Sequence, residues 1–157
     1  MRRIVAGPPD GASELCLVRM GFQVRGLSGW LHARTLRAAI ARDADRAIAE
    51  GAGLLGSESF TITRGHFGVL QYWRSFDALD AWSHRPPHSE WWREAVDRMR
   101  RKHDLGVYHE VFRVPVANLE SIYLDCEPAG MARFGKLGEP VGPMTTARGR
   151  LGMMRPK

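Results

Sequence analysis

The stretch SESFTITRGHFGVLQYW, residues 57–73, decides how this chain is read. It holds two strand-like runs joined by Arg64 and Gly65, a pair suited to a tight hairpin turn. Side chains alternate along a strand, so in the second run Phe67, Val69 and Trp73 take one face. Leu70 and Tyr72 take the other. A sheet covered by helices on one side only would alternate apolar with polar. Both faces are apolar here, so the pattern predicts a sheet covered twice, by its own helices and by the sheet of a second copy.

Outward from the hairpin the chain keeps to a regular order. Leu15 to Arg25 alternates, with Cys16, Val18, Met20, Phe22 and Val24 pointing one way and Arg19, Gln23 and Arg25 the other, as a strand does. A helix is expected from Trp30 to Glu50, its apolar stripe made by Leu36, Ala39, Ile40, Ala44, Ala47 and Ile48, with Gly51 at its C-terminal cap. Beyond the hairpin, Ser75 is a good N-cap for the short helix FDALDAWSH. Pro86 and Pro87 stop that helix and open a second piece reaching about Lys102. VYHEVFRV reads as a fourth strand and NLESIYLDC as a fifth, shorter one. The order strand, helix, strand, strand, helix, strand is an α+β, ferredoxin-like βαββαβ arrangement. Residues 14–127 are expected to form this domain, between a flexible N-terminal arm (1–13) and a Gly/Pro-rich basic C-terminal tail (128–157).

Composition narrows the partners. A chain of 157 residues is the length of one domain, and such a domain buries roughly 68–70% of its unfolded surface without disulfides or metals. No apolar run approaches the roughly 18 residues of a membrane span, and the first residues lack the apolar core of a secretory signal. Two lone cysteines, Cys16 and Cys126, fit a reducing compartment, so a cytoplasmic protein is expected. The formal net charge is +6, but from Pro128 onward six basic residues face one acid, leaving the body nearly neutral. Nucleic-acid binders carry their basic stripe on the fold itself, so no nucleic-acid partner is expected.

The candidate chemistry gathers near SHRPPHSEWW, residues 83–92. On one continuous helix His84 and His88 would share a face, but the residue before a proline avoids helical geometry, so the pair is not read as a metal site. On the second helical piece His88, Trp92, Ala95, Val96 and Met99 recur at helical spacing, apolar except at the first position. His88 should therefore point inward at a helix N-terminus, where the dipole and the apolar setting both favour a neutral ring. Such a ring is either a structural histidine bonded to a backbone carbonyl, or a base or iron ligand. His109 and Glu110 fall on opposite faces of the fourth strand, each flanked by apolar neighbours, with Arg19, Gln23, Arg25, Gln71 and Arg74 as candidate partners. On opposite faces they cannot act as a contacting pair; the alternatives are a structural Arg–Glu pair bracing the sheet and a catalytic role. Glu120 and Tyr123 fall on opposite faces of the fifth strand, where the Tyr123 hydroxyl can reach a pocket. Trp73, Trp82, Trp91 and Trp92 are dense enough to line a pocket for a flat apolar ligand or simply to fill a core.

These residues also carry a resemblance. GVLQYWRSFDALDAWSHRPPHSEWW and LGVYHEVFRVPVANLESIYLDCEPAGM, with RMGFQVRG and GAGLLGSESF, resemble the small bacterial and fungal proteins classed as DUF4188, or Af470-like monooxygenases, over roughly residues 14 to 140. That group belongs with the antibiotic-biosynthesis monooxygenases. The resemblance implies a ferredoxin-like fold in a dimeric α/β barrel, a hydrophobic pocket between sheet and helices, and oxidation of a polyketide-, terpenoid- or polyene-like secondary metabolite. By position it points to Tyr72, Trp73, Arg74, His88, Trp92, His109, Glu110, Glu120 and Tyr123. WRSFDALDAWSHRPPH is similar, with one extra residue between its histidines, to a segment of haem-containing aldoxime dehydratases, which implies either no cofactor or haem.

The expectation is thus a homodimeric monooxygenase for a small hydrophobic substrate. His88, Arg74, Glu110 and His109 would be catalytic, and Tyr72, Trp73, Trp82, Trp92, Tyr123 and Glu120 would bind substrate. No metal is expected unless His88 ligates haem. The alternatives are a protein that binds haem or a hydrophobic ligand, and a dehydratase or cyclase working by acid/base chemistry alone.

Overall fold

A computed structural model describes residues 1–153. In chain order its elements are β1 (Arg3–Gly7), β2 (Glu14–Val24), α1 (Gly26–Ala49), β3 (Leu54–Thr63), β4 (His66–Trp73), α2 (Phe76–Ser83), α3 (His88–Lys102), β5 (Leu105–Pro115), β6 (Tyr123–Leu124), β7 (Lys136–Gly138) and α4 (Ala147–Met153). They fall into two compact units, one being Cys16–Phe112 and the other Met1–Leu15 with the chain from Arg113 on.

The Cys16–Phe112 unit is the βαββαβ arrangement expected. Its four strands run in the order β3-β4-β2-β5, with β4 antiparallel to both neighbours. Register places Cys16 opposite Trp73, Val18 opposite Gln71, Met20 opposite Val69 and Phe22 opposite Phe67. All eight are buried on one face of the sheet. The helices cover that face. Ala33, Ile40, Ala44 and Ala47 of α1 pack there with Leu79 and Trp82 of α2, at roughly 25 cal/mol per Å² of apolar surface removed from water.

Local chemistry sets the element ends. Gly51 adopts the left-handed conformation (φ 65°), and the N–H groups of Gly51 and Ala52 close the end of α1 onto the carbonyls of Ile48 and Ala47. The Ser75 hydroxyl accepts from the Ala78 N–H and caps α2, as its sequence predicted. The two prolines separate α2 from α3. α1 begins at Gly26 rather than Trp30, where the Arg25 N–H donates to the Asp104 carbonyl at 2.8 Å.

The second unit departs further from expectation. Residues 3–7, expected within a loose arm, form the central strand of a three-stranded sheet ordered β6-β1-β7. Val5 and Ala6 are buried there, and the Ser121 hydroxyl bonds both the N–H and the carbonyl of Ala6. The expected fifth strand shrinks to Tyr123–Leu124 after a 3₁₀ turn at Val116–Asn118. There the Glu120 side chain pairs with Arg150, and the Ser121 hydroxyl, rather than a strand backbone, engages Ala6 of β1. Arg150, from the expected tail, is buried and also donates to the Met144 carbonyl at 2.9 Å. Arg155 and Lys157 of that tail lie outside the described residues.

Candidate active site

Three side chains on α1 and α2 prepare the position of His88. Asp43 lies on the inward stripe of α1 and is only 7% exposed. A buried carboxylate needs donors, and Asp43 has them: Trp82 Nε1 donates to Oδ2 at 2.9 Å, and Arg46 Nη2 to Oδ1 at 2.7 Å. The Arg46 guanidinium also lies over the Trp82 ring, 4.7 Å from its centroid, and donates to the Pro86 carbonyl at 3.1 Å. Arg46 thereby ties α1 to the turn that launches α3.

His88 is the first residue of α3, with its Nδ1 3.9 Å from Asp43 Oδ2 and its ring tilted against Trp91 at 6.3 Å. Burial pushes its pKa below the ordinary value. Asp43 pulls in the opposite direction and His109 adds to the lowering, so burial wins and the balance favours the neutral ring. His109 comes from the helix-facing side of β5; its side chain is exposed to solvent in part, and the desolvation of the rest lowers its pKa too.

Both histidines border a cavity of about 210 Å³, whose other walls include Val18, Met20, Gln71 and Leu79. Phe76 and Asp80 of α2 close one side, and Val111 of β5, which is 36% exposed, stands beside His109 at the other. Two narrow recesses of about 30 and 10 Å³ also touch His88, one against Trp91, Trp92 and Val107, the other against Asp43, Trp73 and Trp82. His88 is the one side chain of its type shared by all three spaces among the described residues.

The expected site residues are distributed unevenly around this cavity. His88 and His109 come together. Trp73 and Trp82 are core residues, 2% and 3% exposed, whose indole N–H groups bond Gln71 and Asp43. Trp92 is 50% exposed, and Trp91 takes the inward place, because α3 turns its His88–Trp91–Ala95 stripe to the sheet. Arg98 of the same stripe fixes that rotation through Asp104 (2.7 Å) and Ser28 (2.9 Å). Tyr72 and Glu110 occupy the opposite face of the sheet, where Glu110 pairs with Arg19 at 2.9 Å. Arg74 is exposed just past β4 and borders none of the cavities described above. Tyr123 and Glu120 belong to the second unit, where the Tyr123 hydroxyl accepts from the Ala132 N–H and Glu120 pairs with Arg150. Among the described residues no group of three His, Cys, Asp or Glu side chains is placed to hold a metal ion.

Asp43 is the residue that sequence reasoning missed. Its signal is present, since it stands three residues after Ile40 and four before Ala47, a carboxylate set into an apolar stripe.

The family profile described as Monooxygenase af470-like matches residues 15–131. This chain belongs to that family. Among solved structures, two aldoxime dehydratases are similar to this af470-like chain. One, crystallised with butyraldoxime, is 20% identical with a TM-score of 0.64, covering 85% of this chain and 40% of that one. The other is 19% identical with a TM-score of 0.69, covering 98% of this chain and 44% of that one. The chain thus spans less than half the length of either dehydratase, and at such identity the likeness is one of fold. A cofactor-independent oxygenase from Streptomyces nogalater is also similar, at 17% identity and a TM-score of 0.44, over 64% of this chain and 92% of that one. A search of curated proteins gave no match. No helix among the described residues is long and apolar enough to cross a membrane.

Proposed function

We propose that this af470-like chain is a monooxygenase-type enzyme for a small hydrophobic molecule, with His88 as its acid/base group. The observation that carries the reading is an imidazole set 3.9 Å from a buried carboxylate and bordering a largely apolar cavity, with its pKa lowered by burial. A base works best when its pKa lies near or below the working pH and its partner holds the ring in one orientation. Asp43 favours a proton on Nδ1, which leaves Nε2 as the basic nitrogen. Nε2 takes a proton from an activated C–H or O–H of the substrate, and the electron-rich anion left behind reduces dioxygen, the co-substrate. On a CH₂ group the result is C=O, with the second oxygen atom leaving as water. Water exclusion by Met20, Leu79 and Val18 strengthens each electrostatic contact in this space.

The reading includes a homodimer. Leu17, Phe60, Leu70 and Tyr72 lie on the face of the sheet away from the helices, and Ile62 (53% exposed) and Phe112 (49% exposed) extend the exposed apolar surface. A second copy laid sheet to sheet covers that surface. Arg74 and Glu110 have no part in the proton transfer, since neither borders the His88 cavity.

Haem is the cofactor reading raised by the likeness to haem-containing aldoxime dehydratases. The donor chemistry at His88 suits an axial ligand, but the space does not. The cavities at His88 hold about 210, 30 and 10 Å³, below the about 300–1,000 Å³ of sites for drug-sized ligands, and haem is larger than most of those. No step is routed through it.

The test is incubation with a panel of polycyclic phenols and enolisable ketones under ¹⁸O₂, read by mass spectrometry. Incorporation of one labelled atom is expected, and His88→Ala should lower turnover by about 100-fold or more with the thermal melt unchanged. Equal turnover without oxygen would replace this reading with acid/base dehydration or cyclisation.

A further inference from the structure

Gln71 sits in the middle of β4 on the helix-covered face, 8% exposed, between Val69 and Trp73 and opposite Val18. A buried amide among apolar neighbours is costly unless its polar atoms are engaged. Residues two apart on a strand share a face, and the Trp73 Nε1–H donates to Gln71 Oε1 at 3.1 Å. An indole nitrogen is a donor only, so the oxygen must face Trp73 and the amide cannot be reversed. With the oxygen turned to Trp73, the NH₂ group points away from that ring; no hydrogen bond from it is seen among the described residues, and it is not one of their fully enclosed orphaned polar atoms, so it keeps access to open space. Gln71 borders the 210 Å³ cavity and the 10 Å³ recess, and His88 borders both. A base and a fixed N–H donor therefore face one apolar space.

We propose that the Gln71 amide is an oxyanion donor, and that the substrate is a neutral phenol or enolisable ketone whose oxygen seats against it. This rests on the acid/base reading of His88. When His88 removes a proton from the hydroxyl, or from the carbon beside a carbonyl, the electron pair moves onto that oxygen as phenolate or enolate. The proton stays on Nε2, and the Gln71 N–H bond strengthens as charge develops. The rest of the lining selects for an uncharged body. Its titratable groups are His88, His109 and Asp80, and the Asp80 carboxylate disfavours a substrate that arrives as an anion. About seven water volumes, at about 30 Å³ each, fill the cavity, so the reacting ring sits inside while any longer body passes out beside Val111.

The experiment uses the full chain and two probes, 4-nitrophenol and 4-nitroanisole. They share a ring, but only the phenol yields an oxyanion. Gln71→Glu keeps an acceptor for Trp73 and the shape of the side chain while removing the donor. Wild type should enhance the visible phenolate band on binding. Gln71→Glu should weaken phenolate binding by about tenfold or more, through loss of the donor together with repulsion from the added carboxylate, and leave 4-nitroanisole unchanged, with the wild-type amide resonance below reporting the donor alone. Equal phenolate affinity in both proteins overturns the role of Gln71 and leaves His88 standing. If neither probe moves the His88 and His109 ring resonances, the cavity is not the site and both readings fall. A wild-type measurement guards against a misfolded variant: the Gln71 side-chain N–H resonance should move downfield with 4-nitrophenol, and no movement overturns the proposal.

Discussion

Asp43 accepts from Trp82 and Arg46 and still lies 3.9 Å from His88, so replacing its carboxylate separates charge from packing. In Asp43→Asn the side-chain oxygen can keep the Trp82 bond, but the negative charge that raises the His88 pKa is gone. Burial then acts with less opposition, and the pKa falls further. In wild type the acid limb of the activity profile lies below the ordinary histidine value of about 6.5, since base catalysis needs the neutral ring. In the variant that limb moves to still lower pH, while the plateau rate drops about tenfold because Nδ1 loses its orienting partner. Proton NMR titration of the His88 ring together with the pH–rate profile checks both. A limb that stays in place would show that Asp43 acts through packing alone. At this scale the sequence was partly legible. His88 stood out as the polar start of an apolar stripe, whereas Asp43 passed as one acid in the charged run ARDADR, residues 41–46, because burial of a carboxylate depends on the donors that fold in beside it.

Between β2 and β5 the sheet leaves no room for a side chain at Gly21. A Cβ there would overlap the Tyr108 ring, which lies flat on the strand and hydrogen-bonds His66 Nε2 through its hydroxyl at 3.0 Å. Gly21→Ala should lower stability by about 1–3 kcal/mol, as overpacking does, measured by thermal or urea unfolding. Combined with Tyr108→Ala the cost should be smaller than the two single costs added, because the ring that is overlapped is gone. Full additivity would place the effect elsewhere. Elements themselves were legible where period and punctuation agree: the β3–β4 hairpin, the Ser75 cap and the Pro86–Pro87 break all follow from local chemistry. The rotation of α3 was not. Spacing from His88 allows either tryptophan to face inward, and the choice of Trp91 is made by Arg98 gripping Asp104 and Ser28, a tertiary contact outside the helix.

For the molecule as a whole, the sheet face away from the helices combines paired charge with half-buried and exposed apolar side chains. Arg19 lies over the Phe60 and Tyr108 rings at 5.3 and 5.2 Å and pairs with Glu110 at 2.9 Å, so these two charges neutralise each other on the face. Gly21 and Gly68, paired across β2 and β4, leave a dent that the Tyr108 and Phe60 rings fill, which flattens the surface. Four strands of eight or more residues span roughly 500 Å² in projection, of the order of the about 800 Å² of accessible surface that each partner buries in a stable complex. The apolar Leu70 and Tyr72 that face this surface were the first feature read from the sequence, while the β1 and tail contacts of the second unit were hidden, because they depend on single side chains such as Ser121 and Arg150. Sedimentation velocity at micromolar concentration should therefore show a dimer. Placing charge at two exposed apolar positions, Ile62→Lys with Phe112→Lys, should shift it to monomer by weakening association about 100-fold or more, since an unpaired buried charge costs several kcal/mol. The helix-side core is untouched by these changes, so the melting of the monomer should stay cooperative. A wild-type chain that sediments as a monomer at every concentration would leave this apolar face without its proposed cover and would refute the homodimer.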